Sequence, residues 1–170
     1  MAQQMNEPEI REGGNVQFLT PEGFRELQAE LEHLTIVKRP EIADRIRESQ
    51  QHGEFSEDNS ELDEVKFEQA MVEARIAELK ALFASAQPLD PSKIPTDHVG
   101  LASITMVKDF EFGDTFEVQI VAGIEADPNQ DRISTESPMG VALFGKKVGE
   151  LVEFDSPSGR RRYEVLGIRK

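Results

Sequence analysis

Apolar residues in the first half of the chain recur at helical spacing. Phe24, Leu27, Leu31 and Leu34 stand three, four and three residues apart, which is the seam of a coiled coil. The pattern runs on through Val37 to Ile42 and Ile46. Pro40 lies inside it, and its missing N–H predicts a kink or a loosened turn there. Thr20 is placed to cap this helix, with Pro21 at its first position and Glu22 in its first turn. The pattern ends near His52, where Gly53 follows as a C-cap. A second run, Leu62, Val65, Gln69, Val72, Ile76, Leu79 and Phe83, repeats the 3-4 spacing. Neither run is apolar all round and the connection is short, so the two helices are expected to lie antiparallel over residues 20–86. At about 1.5 Å per residue, 24 helical residues extend about 36 Å. The connecting loop therefore belongs at the far tip of a long hairpin.

The period then changes. Residues 87–98, QPLDPSKIPTDH, hold three prolines and no helical repeat. After them come strand-like runs, VGLASITMV, TFEVQIVA, RISTES, LVEFDS and RYEVLGI. One short helix interrupts them at SPMGVALFGKKVGE, with Ser137 as cap, Pro138 at its first position and Met139, Ala142, Leu143 and Phe144 as its apolar face. Gly145 and Gly149 close the turn beyond it, and SPSGR reads as a hairpin turn. The expected organisation is a flexible polar tail at 1–17, the hairpin at 18–88, a linker at 89–98 and a small antiparallel α+β domain at 99–170.

Composition supports an elongated molecule, since 31% of the residues are charged against 38% hydrophobic and there is no Trp. With no Cys, disulfides, thiolate metal sites and thiol nucleophiles are excluded. No apolar run approaches a membrane span and nothing resembles a secretion signal, so a cytoplasmic protein is expected. The net charge is -14, and -11 of it belongs to residues 1–90. A non-specific grip on nucleic acid needs basic surface, which leaves basic protein surfaces or divalent metals as partners. The run of Arg at 160–162 is read as an exposed hairpin turn.

The acidity concentrates at the hairpin tip. Glu54, Glu57, Asp58, Glu61 and Asp63 fall within ten residues, with Phe55 among them. Simple solvation accounts for many acidic loops, but this one combines like-charge crowding with an exposed aromatic. Its oxygen donors suit Mg²⁺, which accepts one or two carboxylates and completes its shell from water or substrate phosphate. Two or three carboxylates at a tip make no closed site, so a partner's active site has to complete it. EF-hand spacing is absent, and His33, His52 and His98 are too scattered to form a metal cluster. His52 is read as a cation at a helix C-terminus. No P-loop, dinucleotide fingerprint or Ser-His-Asp arrangement is present.

Four stretches, LTPEGFRELQAELEHL, RPEIADRI, HGEFSEDNSELDEVKFEQAMVEARIAELKALFASAQPLD and DRISTESPMGVALFGKKVGELVEFDSPSGRRRYEVLGI, resemble the bacterial Gre transcript-cleavage factors of the GreA type, over about residues 18–170. The family's tip reads roughly H-G-D-x-x-E-N-x-E-Y, and its C-terminal signature roughly I-S-x-x-S-P-x-x-x-x-L-x-G-K. The resemblance implies a coiled-coil finger that enters the secondary channel of RNA polymerase. There its tip carboxylates help hold a second catalytic Mg²⁺, and the polymerase cleaves the 3′ end of backtracked RNA. By this resemblance the protein is no enzyme alone, binds no metal when free, meets the nascent RNA only indirectly, and is a monomer without membrane association. Its C-terminal domain resembles an FKBP-like fold that docks on the polymerase rim; such a fold does not imply isomerase activity.

Carried over position by position, the resemblance gives Glu54 and Glu57 as metal-holding catalytic residues. Asn59 and Lys66 become RNA-proximal, and Ser134, Ser137 and Pro138 polymerase-docking. The tip is one residue longer than the family pattern, so Glu57 and Asp58 are both candidates for the second ligand. The first acid is Glu where the family has Asp, Leu62 stands for its Tyr, and Gln50 for a frequent basic residue. Two other readings follow: a Gre-type homologue that plugs the channel and inhibits polymerase, and an FKBP-like binding module or prolyl isomerase with a helical appendage. The isomerase reading fits poorly, because such a pocket needs several aromatics and the C-terminal half has one Tyr, no Trp and few Phe.

Overall fold

A computed structural model describes residues 15–52 and 60–170. The first arm of the hairpin comprises helix α1 (Pro21–His33), a π-helical turn (Leu34–Lys38) and helix α2 (Arg39–His52). The second arm is one continuous helix, α3 (Ser60–Phe83). Thr20 caps α1 as its sequence predicts: its hydroxyl accepts from Gly23 N at 3.0 Å, and Pro21 opens the helix. Gly53, read as a C-cap, lies outside the described residues, as do residues 1–14 of the tail expected at 1–17.

The seam departs from a plain heptad at one place. Leu34 is half-buried and Ile42 is 2% exposed, eight residues later rather than seven. Val37, expected in the seam, is exposed. The π turn explains both: Arg39 N bonds Leu34 O, five residues back, so one additional residue is taken up just ahead of Pro40. Pro40 has no N–H to offer Ile36, and the wide turn removes the need for one. In α3, Val65, Ile76 and Leu79 are buried as the spacing requires, Gln69 is exposed, and at the end of the helix Leu82, outside the expected run, is buried while Phe83, inside it, is half-buried. Ion pairs bind the arms along their flanks, Arg39–Glu73 at 2.7 Å, Arg45–Glu68 at 2.5 Å and Arg75–Glu30 at 2.7 Å.

The hairpin base carries a feature with no counterpart in the sequence reading. Strand β1 (Gln17–Leu19), partly inside the expected tail, pairs in parallel with β2 (Ala86–Pro88). Three-residue strands are too short to show a period of two, and nothing local distinguishes them from loop. β1 delivers Leu19, fully buried, into a cluster with Leu27, Leu79, Leu82 and Ala122, flanked by Phe24, Leu31, Phe83 and Ile124. Phe24 and Phe83 meet edge to face at 5.2 Å between ring centres, a favoured aromatic geometry. Ala122 and Ile124 belong to the globular domain, so this core joins the two parts of the molecule.

The globular domain is a five-stranded sheet in the order β5-β4-β3-β7-β6, built from β3 (Ile104–Asp109), β4 (Thr115–Val121), β5 (Arg132–Ser134), β6 (Leu151–Ser156) and β7 (Gly159–Arg169). Its pairs are antiparallel except the edge pair β4–β5, which is parallel. Helix α4 (Pro138–Leu143) covers it, with Ser137 accepting from Gly140 N at 3.0 Å. Gly145 and Gly149, with φ of 80° and 90°, make the left-handed turns that lead from α4 to β6. Val99, Val107, Val118, Ile120, Leu143, Val152, Tyr163 and Val165 form the core. Tyr163 lies edge-on to Phe116 at 5.7 Å and stacks on Phe154 at 5.4 Å. Tyr163, Phe116 and Phe154 thus pack in or against this core, while Phe110, Phe112 and Phe144 are exposed.

Candidate functional site

The two arms place the connecting loop at the end of the hairpin remote from the globular domain, because α2 ends at His52 and α3 restarts at Ser60. Glu54, Glu57, Asp58 and Asn59 fall in that connection and lie outside the described residues. Glu61 and Asp63 continue the acidic run into the first turn of α3, where carboxylates are favoured by the helix dipole. Lys66 is exposed two turns into α3. Among the described residues no group of three or more His, Asp or Glu is placed to hold a metal ion.

The second candidate segment sits at the other end of the molecule. Ser134 ends β5 and Ser137 opens α4, and the two are knotted together. Ser134 O accepts from Ser137 N at 3.1 Å and from Ser137 Oγ at 2.8 Å. Ser134 Oγ accepts from Glu136 N at 3.0 Å. Gly140 packs against this knot so closely that a Cβ there would stand 1.9 Å from Ser134 O. Pro138 is exposed on the outer surface of the turn. The fold thus brings the three residues into one corner, with Ser134 and Ser137 half-buried and Pro138 exposed.

Beside that corner runs an open groove of about 800 Å³, lined by Val16, Phe18, Leu101, Thr135, Val141 and Phe144. Val141 and Phe144 are 63% and 50% exposed. Phe144 was expected on the inner face of α4, but a six-residue helix is too short for its pattern to separate inner from outer apolar positions. The Arg run at 160–162 is neutralised locally: Arg160 bonds Asp155 and Glu153, Arg162 bonds Glu153, and Arg161 bonds Glu111 while lying 5.3 Å over the Phe112 ring. It presents no uncompensated basic patch for nucleic acid.

A third group was not found from sequence. Glu125, in a 3-10 turn of the globular domain, is 6% exposed and reaches the N-terminus of α1. Its Oε1 accepts from Thr20 N at 3.1 Å and from Thr20 Oγ1 at 2.5 Å, and its Oε2 accepts from Ala122 N at 3.2 Å. Alongside, Arg132 grips Glu26 of α1 with two hydrogen bonds of 2.7 and 3.0 Å. That guanidinium holds the Glu26 carboxyl below the usual range against the opposing effect of burial. These partners lie 105 and 106 residues apart, so no local window could have exposed them.

Comparison with known proteins agrees with this two-part architecture. Residues 17–87 match the N-terminal model of the GreA/GreB transcription elongation factors, and residues 94–170 match the C-terminal model. Transcription elongation factor GreA of Clostridium perfringens is 47% identical over 153 residues, covering 90% of this chain and 96% of that protein. GreA of Clostridium beijerinckii is 46% identical over 152 residues, covering 89% and 94%. The solved GreA factor homolog 1 (Gfh1) of Thermus thermophilus is 30% identical, covers 92% of this chain and all of its own, and has a TM-score of 0.43. Among the described residues no helix is long and apolar enough to cross a membrane. With both halves matched in order and nearly half of the residues shared with GreA proteins over most of either chain, this protein belongs to the GreA/GreB family of transcription elongation factors.

Proposed function

We propose that the protein inserts its coiled-coil tip into the secondary channel of bacterial RNA polymerase and stimulates cleavage of the 3′ end of backtracked RNA. What supports this reading is the crowding of carboxylates in the sequence between His52 and Ser60, where α2 ends and α3 begins, in a hairpin whose opposite end packs on the globular domain. Glu54, with Glu57 or Asp58, would hold a Mg²⁺ ion shared with the polymerase active site. When bound, such an ion lowers the pKa of its water and stabilises charge on the departing oxygen. The chain's own part is to deliver the carboxylates, and with Asn59 and Lys66 to stand near the RNA end. Ser134, Ser137 and Pro138, with the open groove beside them, dock on the polymerase rim. The protein acts as a monomer in the cytoplasm and is not an enzyme by itself.

The test is RNA cleavage in a stalled, backtracked elongation complex at fixed Mg²⁺. Faster release of short 3′ fragments with this protein, lost in the Glu54→Ala/Glu57→Ala double variant while polymerase binding persists, is expected. No acceleration combined with slowed elongation would show instead that the finger acts as an inhibitory plug, a reading favoured by the one-residue longer, more acidic tip.

A further inference from the structure

We propose that Glu125 is a positioning residue: by capping α1 from the neighbouring domain it fixes the angle at which the finger leaves the globular domain, and with it the place the tip reaches. The inference rests on the reading that the tip works at a distance from the docking domain, and it assigns the part that sets that distance.

The interface between finger and globular domain has two components of different character. Ala122 and Ile124 pack into the apolar cluster around Leu19 and Leu27. Apolar contact is non-directional, and on its own it tolerates rotation and sliding. Glu125 supplies direction. One carboxylate accepts from the Thr20 amide, the Thr20 hydroxyl and the Ala122 amide, so it ties the first residue of the hairpin arm to the globular backbone at fixed angles. The Thr20 hydroxyl is used in both directions at once. It donates to Glu125 and accepts from Gly23 N, which couples the cap of α1 to the domain contact. Gly23 is required by the same close approach, since a Cβ there would lie 1.7 Å from Glu125 Oε1. Arg132, on Glu26 one turn further along α1, prevents rotation about this point.

The leverage is large. The 24 residues of α3 span about 36 Å at about 1.5 Å each, so a tilt of about 10° at the base carries the tip about 6 Å. A displacement of about 1 Å in a reacting geometry can cost on the order of 100-fold in rate. Loosening Glu125 should therefore spare docking and damage delivery.

The chain has no Cys, so two introduced cysteines give unique spin-label sites. Glu48→Cys on α2 and Lys147→Cys beyond α4 are both exposed and outside the interface. Pulsed electron spin resonance on the free full-length protein should give one narrow distance distribution. In Glu125→Ala and in Thr20→Val it should broaden or shift by several ångströms, and in Thr20→Ser, which keeps the hydroxyl, it should stay narrow. Circular dichroism checks that each variant is folded; Thr20→Ser against Thr20→Val keeps the comparison valid if Glu125→Ala is not. In the cleavage assay Glu125→Ala should hold its half-saturating concentration within about threefold and lose at least tenfold in maximal rate. An unchanged distance distribution in folded Glu125→Ala overturns the proposal. So does a broadened one with an unaltered maximal cleavage rate. If the parent protein stimulates no cleavage, the cleavage reading falls, and the distance measurement alone decides the positioning role.

Discussion

Arg75 of α3 holds Glu30 of α1 through two parallel hydrogen bonds, Nε to Oε1 at 2.7 Å and Nη2 to Oε2 at 2.9 Å. The same guanidinium reaches Glu78 at 2.8 Å through its remaining nitrogen. Both side chains of the main pair are about one-third exposed, so the pair is partly shielded from water. Arg75→Ala should cost about 1 kcal/mol, a modest figure because a partly exposed pair is screened. Arg75→Lys should recover only part of it, because an ammonium cannot make the forked contact. Urea unfolding followed by helical circular dichroism measures the difference.

Stability should fall on the acid side in a defined window. The carboxyls of Glu26 and Glu30 are held below their ordinary value of 4.5, chiefly by the hydrogen bonds from Arg132 and Arg75, and that of Glu73 is lowered by Arg39. A folded-state pKa below the unfolded one means the contribution is complete above about 4.5 and is lost as pH falls through the depressed values. The urea midpoint should thus be flat near neutrality and drop below pH 4.5. Glu26→Gln with Glu30→Gln should flatten that drop. An equal drop in parent and double variant would show that other carboxylates govern the acid limb.

The corner between β5 and α4, proposed above to dock, has a position that tolerates no side chain. Because a Cβ on Gly140 meets Ser134 O at 1.9 Å, Gly140→Ala must push α4 off the end of β5. Overpacking of this type costs about 1–3 kcal/mol. The globular domain should lose stability and polymerase binding should weaken, while the helical signal of the hairpin is retained.

One buried polar group invites removal. Thr105 in β3 is fully buried, and its hydroxyl is the one buried side-chain polar atom without a hydrogen-bond partner among the described residues. Its ladder neighbours are Val118 and Ile168. Thr105→Val replaces the hydroxyl with a methyl of nearly the same shape and should stabilise the domain by about 1 kcal/mol. Thermal unfolding of the two proteins decides it, and a lower melting temperature in the variant would count against the assignment.

How much of this was legible beforehand depends on the range over which each feature is encoded. The cap at Thr20, the α3 seam from Val65 to Leu79 and the Ser137 cap of α4 are written within a few residues, and the structure reproduces them. Val37 was misplaced because a heptad count assumes that every turn takes the same number of residues. β1 and β2 were missed because three residues carry no period. Glu125 was missed for a different reason: within GIEAD it looks like any solvated acid, and only the fold places it against Thr20. At the candidate site, the tip acids Glu54, Glu57 and Asp58 were legible as composition, since crowding of like charge needs no fold to be noticed. The groove formed by Phe18, Leu101 and Phe144 was not, because distant segments of the chain build it.

The π turn at Leu34–Lys38 has a consequence for how variants of this chain in residue count translate into shape. The turn accepts one residue sideways, as girth, so the seam from Leu34 to Ile42 is brought back into phase and the rod gains almost nothing in height. A single deletion within that turn should leave the inward-facing residues and the reach nearly unchanged, and should return to Pro40 the kink that the wide turn now relieves. Tally of residues and physical span are uncoupled in this arm, and a one-letter gap there edits the turn ahead of Pro40 far more than the finger's outline.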